Sequence, residues 1–381
     1  MSSPAPAARY MPARLLLISF GVLAVGFTVY AGQNPAATAL LAKDLKTILT
    51  GIIFVSLAFL GAGYFVKKHP HTQVLRITGW VLFSLYWPFQ GPSFFAEGDP
   101  FNGYACLLAP LFILYIAYHE LRSLEWREDP AALRWVTGTT FVAAATYFLI
   151  YEVPIVQEYL IYFTAEQSVL MLQLVFGLPS HVLKDGAESH ILLDGGPAGP
   201  EYAVTVILAC TAIQSIMIFV GAIACLNADQ RRKYRAYLYA VPVIYFLNLF
   251  RNAGIVYGYK VLEWNPFSWG GPNPGGWRGW FWIDMSHPFT GQFPGLAQGS
   301  FEWMHSWVGK YGSLLALIVI ALAVFSVLPE LHSHILDLFD LPKRRRAGYF
   351  DRDPPPPPES APGLAIAPPT ATSATNAPRR D

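Results

Sequence analysis

A chain of 381 residues with 54% apolar and 13% charged residues departs from soluble globular proteins, in which charged residues make up about 25%. Mean hydropathy is +0.36, and a net charge of +1 supplies no field that would recruit nucleic acid. These figures exclude a DNA-binding protein, a disordered chain and a typical cytosolic enzyme, and they leave a polytopic membrane protein.

Apolar runs near the length of a bilayer-spanning helix, about 20 residues, fall at 14–31, 46–66, 74–95, 103–119, 135–153, 204–226, 237–258 and 308–328. The expected fold is therefore an all-α polytopic membrane protein with about eight transmembrane helices. The start, MSSPAPAARYMPAR, shows no convincing signal-peptide cleavage site, so the first run is read as a retained span. In the third run, Pro88, Gly91 and Pro92 predict a break near its end. Basic residues cluster at Arg9/Arg14, Lys67/Lys68/Arg76, Arg122/Arg127/Arg134, Arg231/Arg232/Lys233/Arg235 and Lys343–Arg346. An up-and-down path through eight spans puts every one of these clusters on the same face. By the positive-inside rule that face is cytoplasmic, with both termini inside. Lys43 and Lys46, beside Asp44, are a mild exception.

Two long loops then lie outside. The first, 154–203, opens with IVQEYLIYFTAEQSVLMLQLVFG, read as an amphipathic helix on the outer leaflet, with a ninth span as the alternative. The second, 260–304, contains Trp264, Trp269, Trp277, Trp280, Trp282 and Trp303. Trp favours the headgroup level, so this loop caps the surface or covers a site. Residues 1–350 form the integral membrane domain. Residues 351–381, rich in Pro, Ala and Thr, cannot build a core and are read as a disordered cytoplasmic tail.

Reactive side chains concentrate at the outer face. Three cysteines are too few for a disulfide framework. Cys210 lies in the outer half of the sixth predicted span. Cys225 lies near its inner end, about 22 Å away along a helix rising about 1.5 Å per residue. Arg251 interrupts an apolar span, and an arginine in that setting needs a partner or a polar cavity. Of the outer histidines, His181 and His190 sit in a polar loop without evident constraint, His287 is mid-loop, and His305 starts the last span at a depth similar to Cys210 and Arg251. A thiol, a guanidinium and an imidazole brought to one level are the groups that acyl transfer needs. They supply a nucleophile, a stabiliser for the oxyanion and an acid–base. Gln214, one turn below Cys210 on the same predicted helix face, and Asn252, next to Arg251, are candidates for support. No zinc motif, P-loop or dinucleotide fingerprint is present, and no cofactor or metal is expected.

The segments ACTAIQS at 209–215, FRNAGIVYGY at 250–259 and MHSWVGKYGS at 304–313 resemble the exosortase/archaeosortase family, with archaeosortase A the nearer type. The resemblance covers about 100–328. It implies a membrane-embedded, sortase-like cysteine transpeptidase with Cys210 as nucleophile, Arg251 as transition-state stabiliser and His305 as general acid–base. It further implies partners: secreted surface proteins ending in a Pro-Gly-Phe-type signal with a hydrophobic helix, and a membrane lipid that accepts the protein from a Cys thioester. Exosortases act on Pro-Glu-Pro signals instead. Two rival readings are an intramembrane cysteine protease using water as acceptor, and a transporter or binding protein with Arg251 as its anion site.

Overall fold

The computed structural model describes residues 11–34, 45–66, 71–96, 100–186, 188–196, 199–261, 305 and 309–344. The Trp-rich loop, including His287, and residues 351–381 lie outside the described residues. Six helices come first: α1 (Met11–Gln33), α2 (Lys46–Phe65), α3 (Thr72–Ala96), α4 (Pro100–Trp126), α5 (Ala131–Glu152) and α6 (Pro154–Phe176). Strands β1 (Ser180–Asp185), β2 (Glu188–Gly196) and β3 (Gly199–Val206) follow, then α7 (Ile213–Ala224), α8 (Gln230–Val261), α9 (Lys310–Val327) and α10 (Pro329–Asp340). Among the described residues, α2, α4, α5, α6 and α8 are long and apolar enough to cross a bilayer, and α9 with α10 makes a further pair bent by 114°.

Three expectations need correction. The fold is mostly helical but not all-α, because β1, β2 and β3 form an antiparallel sheet in that order. The sixth predicted span, 204–226, is not one helix: strand β3 runs to Val206 and the helix begins only at Ile213. Apolar β-branched residues such as Val204, Thr205, Val206 and Ile207 satisfy a hydropathy window, yet they also favour strand. Third, α3 runs on through Pro88 and Pro92 rather than ending there.

Two apolar cores divide the molecule. The larger joins α1–α5 and α7–α10 through residues such as Ile53, Leu60, Trp80, Ile116, Leu133, Ile223, Val324 and Leu328. Its helices approach closely: a Cβ added at Gly221 on α7 would lie 2.6 Å from the Thr139 carbonyl oxygen on α5, so only glycine fits that crossing. The second core joins α6, the sheet and the C-terminal half of α8 through Ile161, Leu172, Ile191, Val206, Ala253 and Val256. On β2 the residues alternate, with Ser189, Ile191 and Leu193 buried and His190 and Leu192 less so, as expected of a sheet packed on one side.

The basic clusters gather at one end of the larger core. Arg76 of α3 is buried to 1% exposure and pairs with Glu120 of α4 at 2.8 Å and with Asp129 at 2.5 Å. Arg14 of α1 pairs with Glu125. Arg232 of α8 holds Glu330 at the start of α10 with both guanidinium terminal nitrogens, and Lys233 donates to the Ala224 carbonyl ending α7. The second core lies toward the other end. Tyr147, late in α5, meets Gln214 at the start of α7, and Phe176, ending α6, packs its ring 4.6 Å from that of Tyr257 late in α8.

Candidate active site

The path into Cys210 is short. After β3, Ile207 is extended, with φ −117° and ψ 173°. Residues Leu208–Thr211 then make one 3₁₀ turn. The Cys210 N–H donates to the Ile207 carbonyl at 2.8 Å, and the Thr211 hydroxyl donates to the Leu208 carbonyl at 2.7 Å. Ala212 leaves the turn in the left-handed region, φ 59° and ψ 4°, a conformation costing an L-residue about 1–2 kcal/mol. The chain thereby reverses direction and α7 begins. Cys210 therefore sits, partly exposed, on a tight strand-to-helix turn and packs against the second core. Tight strand–turn–helix junctions present nucleophiles in other folds.

A non-helical turn in apolar surroundings must find partners for its polar backbone. Helix α8 supplies them. Asn248, Arg251 and Asn252 stand at i, i+3 and i+4, which is one helix face. The Asn248 side chain donates to the Cys210 carbonyl at 2.6 Å, and that of Asn252 donates to the same oxygen at 3.0 Å. The second Asn252 N–H donates to the Ser168 hydroxyl of α6 at 3.5 Å, and that hydroxyl donates to the Thr164 carbonyl at 2.8 Å. The Asn252 amide oxygen accepts from the Arg251 guanidinium at 3.5 Å. Flipping this amide would turn its oxygen toward the Cys210 carbonyl, so the network fixes its orientation.

Arg251 is partly buried, and its charge lies within electrostatic range of the Cys210 thiol. Among the described residues no carboxylate pairs with it. Its only described side-chain partner is the neutral amide of Asn252. A cation so placed is free to meet a negative charge that arrives with a substrate or develops on it.

The other sequence candidates are dispersed. Gln214 does not share a helix with Cys210: it begins α7, beyond the turn, and donates to the Tyr147 hydroxyl at 2.9 Å. The role it retains is to tie α7 to α5. His181 and His190 are not in an unstructured loop. They stand on β1 and β2, His181 2.7 Å from Asp194 and His190 3.2 Å from the Thr205 hydroxyl. His305 is half-buried just ahead of α9, a helix that packs on α8. Cys106 is buried in α4 at 4% exposure. Cys225 caps the far end of α7 and hydrogen-bonds Tyr64, and the turn at 208–211 removes the single-helix path assumed between it and Cys210.

Sequence reasoning missed Asn248. A detectable signal was there: Asn248 and Asn252 are amides four residues apart in an otherwise apolar helix, and such residues within a span mark hydrogen bonding between elements.

Residues 140–262, which hold Cys210, Arg251 and both asparagines, match the transmembrane exosortase family (Exosortase_EpsH). Archaeosortase A of Haloferax volcanii is 29% identical over 183 residues, covering 46% of this chain and 59% of that protein. Together the matches support an exosortase/archaeosortase family assignment. The match to this transmembrane family, with several long apolar helices, supports a multi-pass membrane protein. No solved structure matches.

Proposed function

We propose that the protein is a membrane-embedded cysteine transpeptidase that removes a C-terminal sorting signal at the outer membrane face and joins the cleaved protein to a lipid. The observation that carries this reading is the tie between nucleophile and cation: Asn252 bonds the Cys210 carbonyl with one atom of its amide and Arg251 with the other. The relative's name and the family match support the reaction class. Substrates would be secreted surface proteins whose C-terminal signal, of Pro-Gly-Phe type, precedes a hydrophobic helix.

In the first step the Cys210 thiolate attacks the scissile carbonyl carbon, forming a C–S bond. The carbonyl π electrons move to oxygen, and the resulting oxyanion faces the Arg251 guanidinium. His305 takes the thiol proton and returns it to the leaving nitrogen as the C–N bond breaks. The signal helix leaves with a free amine, and the protein stays on Cys210 as a thioester. A lipid amine then attacks that thioester and gives up a proton to His305, the C–S bond breaks with the thiolate leaving, and an amide to the lipid results.

In the proposed orientation the basic end is cytoplasmic, with both termini, and the Cys210 turn faces outside. Helix α6, whose start follows α5 and whose end meets Tyr257, lies across the outer end. Cysteines introduced at exposed Glu188 and Asp229 should react with an impermeant maleimide from outside and from inside, respectively. Ser189 is unsuitable for such a label because it is only 1% exposed.

The deciding experiment expresses a secreted substrate bearing the C-terminal signal together with wild-type or Cys210→Ala protein and identifies the new C-terminus by mass spectrometry. A lipid-linked terminus that depends on Cys210 supports transpeptidation. A free carboxylate in its place means that water is the acceptor, and unchanged processing by Cys210→Ala refutes the acyl-enzyme.

A further inference from the structure

We infer that Asn248 is a positioning residue for the Cys210 turn, one that sets where the thiol stands without touching the reacting atoms. Its amide nitrogen approaches the Cys210 carbonyl to 2.6 Å, the shorter of the two bonds to that oxygen. The distribution of the remaining bonds gives this one its weight. The turn's own hydrogen bonds hold the Cys210 N–H and the Thr211 hydroxyl, whereas the Cys210 carbonyl oxygen is met from outside the turn. Both described side-chain partners of that oxygen, Asn248 and Asn252, come from α8.

The two amides are not equivalent. Asn252 has both N–H groups and its oxygen engaged, by Cys210, Ser168 and Arg251, so replacing it disturbs three elements together. Asn248 has one described hydrogen bond, to the Cys210 carbonyl, and is partly buried. It is the residue through which the turn can be loosened while Arg251, Asn252 and α6 are left in place. Asn248→Leu is nearly isosteric and removes the donor without placing a carboxylate one turn from Arg251. Asn248 to Gln keeps an amide donor on a longer arm.

The test separates position from fold and from the proposed reaction. In a Cys106→Ser, Cys225→Ser background, Cys210 is the sole thiol, and its rate of alkylation by a maleimide in isolated membranes reports the turn without any substrate. Asn248→Leu is expected to change that rate by roughly threefold to tenfold, the range opened by losing one ordinary hydrogen bond, while the thermal midpoint stays within a few degrees of the parent. Asn248→Gln is expected to lie closer to the parent. An unchanged alkylation rate in a stable Asn248→Leu protein overturns the inference. So does a change in rate that Asn248→Gln reproduces in full, because a donor would then be irrelevant. The second readout rests on the proposed transpeptidation. Processing of the signal-bearing substrate should fall at least about tenfold in Asn248→Leu although the thiol still reacts with maleimide. If the parent itself fails to process the substrate, the proposed function fails, while the alkylation result still decides the role of Asn248. Should Asn248→Leu not accumulate, Asn248→Ser, which retains a shorter donor, is read by the same alkylation assay against the same parent.

Discussion

The two ends of the molecule treat buried cations in opposite ways. At the basic end Arg76, 1% exposed, is met by the carboxylates of Glu120 and Asp129. At the other end Arg251 has a neutral amide and no described carboxylate. A cation paired at rest holds helices together, and its removal leaves a buried anion uncompensated. A cation left with its charge unmatched is available to chemistry. Burial alone would have ranked Arg76 as the more suspicious residue, whereas partner type separates the two.

Substitutions can break or sharpen this contrast. The largest effect is expected at Cys210, where Cys210→Ser should abolish processing with the protein still accumulating, since an alkoxide is far harder to form near neutral pH than a thiolate. Residual processing above the Cys210→Ala level would remove the thiol from the mechanism. Next, His305→Ala should lower the processing rate by about 10²–10⁴-fold, and His287→Ala should leave it near wild type. The opposite pattern would move the acid–base role to the Trp-rich loop. Arg251→Lys keeps the charge but loses the planar fork and should cut processing by about 10²–10³-fold, with little change in thermal midpoint. Arg76→Met should do the reverse: a loss of about 3–5 kcal/mol of stability from the stranded Glu120, seen as lower accumulation, with near-normal turnover per folded molecule. If Arg251→Lys destabilises as much as Arg76→Met, the contrast collapses. The smallest effect is expected on truncation after Phe350, which should leave processing in stably expressed protein unchanged.

The sequence announced much of this. Long apolar runs led to α2, α4, α5 and α8, and Arg251 stood out because a span has few reasons to hold a guanidinium. The sheet was overlooked, although its punctuation is present: Asp185–Gly186 and Asp194–Gly195 separate apolar, β-branched segments, a strong hairpin cue. Asp185 does pair with Glu188 across that turn, and Gly186 takes φ +56°. A window sized for a bilayer averages strand, turn and short helix into one apolar run, and so 204–226 looked like a single span. Cys210 and Arg251 were legible as residue types at a common depth. The bonds joining them were not, because they depend on a carbonyl exposed by a turn that no hydropathy profile registers. The asparagine face of α8 was visible as spacing but had no assigned target until that turn was known.

Because both asparagines and Arg251 project from one helix, the nucleophile and the cation share a mount. Should α8 lean to suit a thicker or thinner bilayer, the thiol and the guanidinium would travel together, since the 3₁₀ turn is fastened to the helix that bears the charge. On the proposed reading, the distance between thiol and guanidinium would be set by α8 and not by the depth of the surrounding lipid.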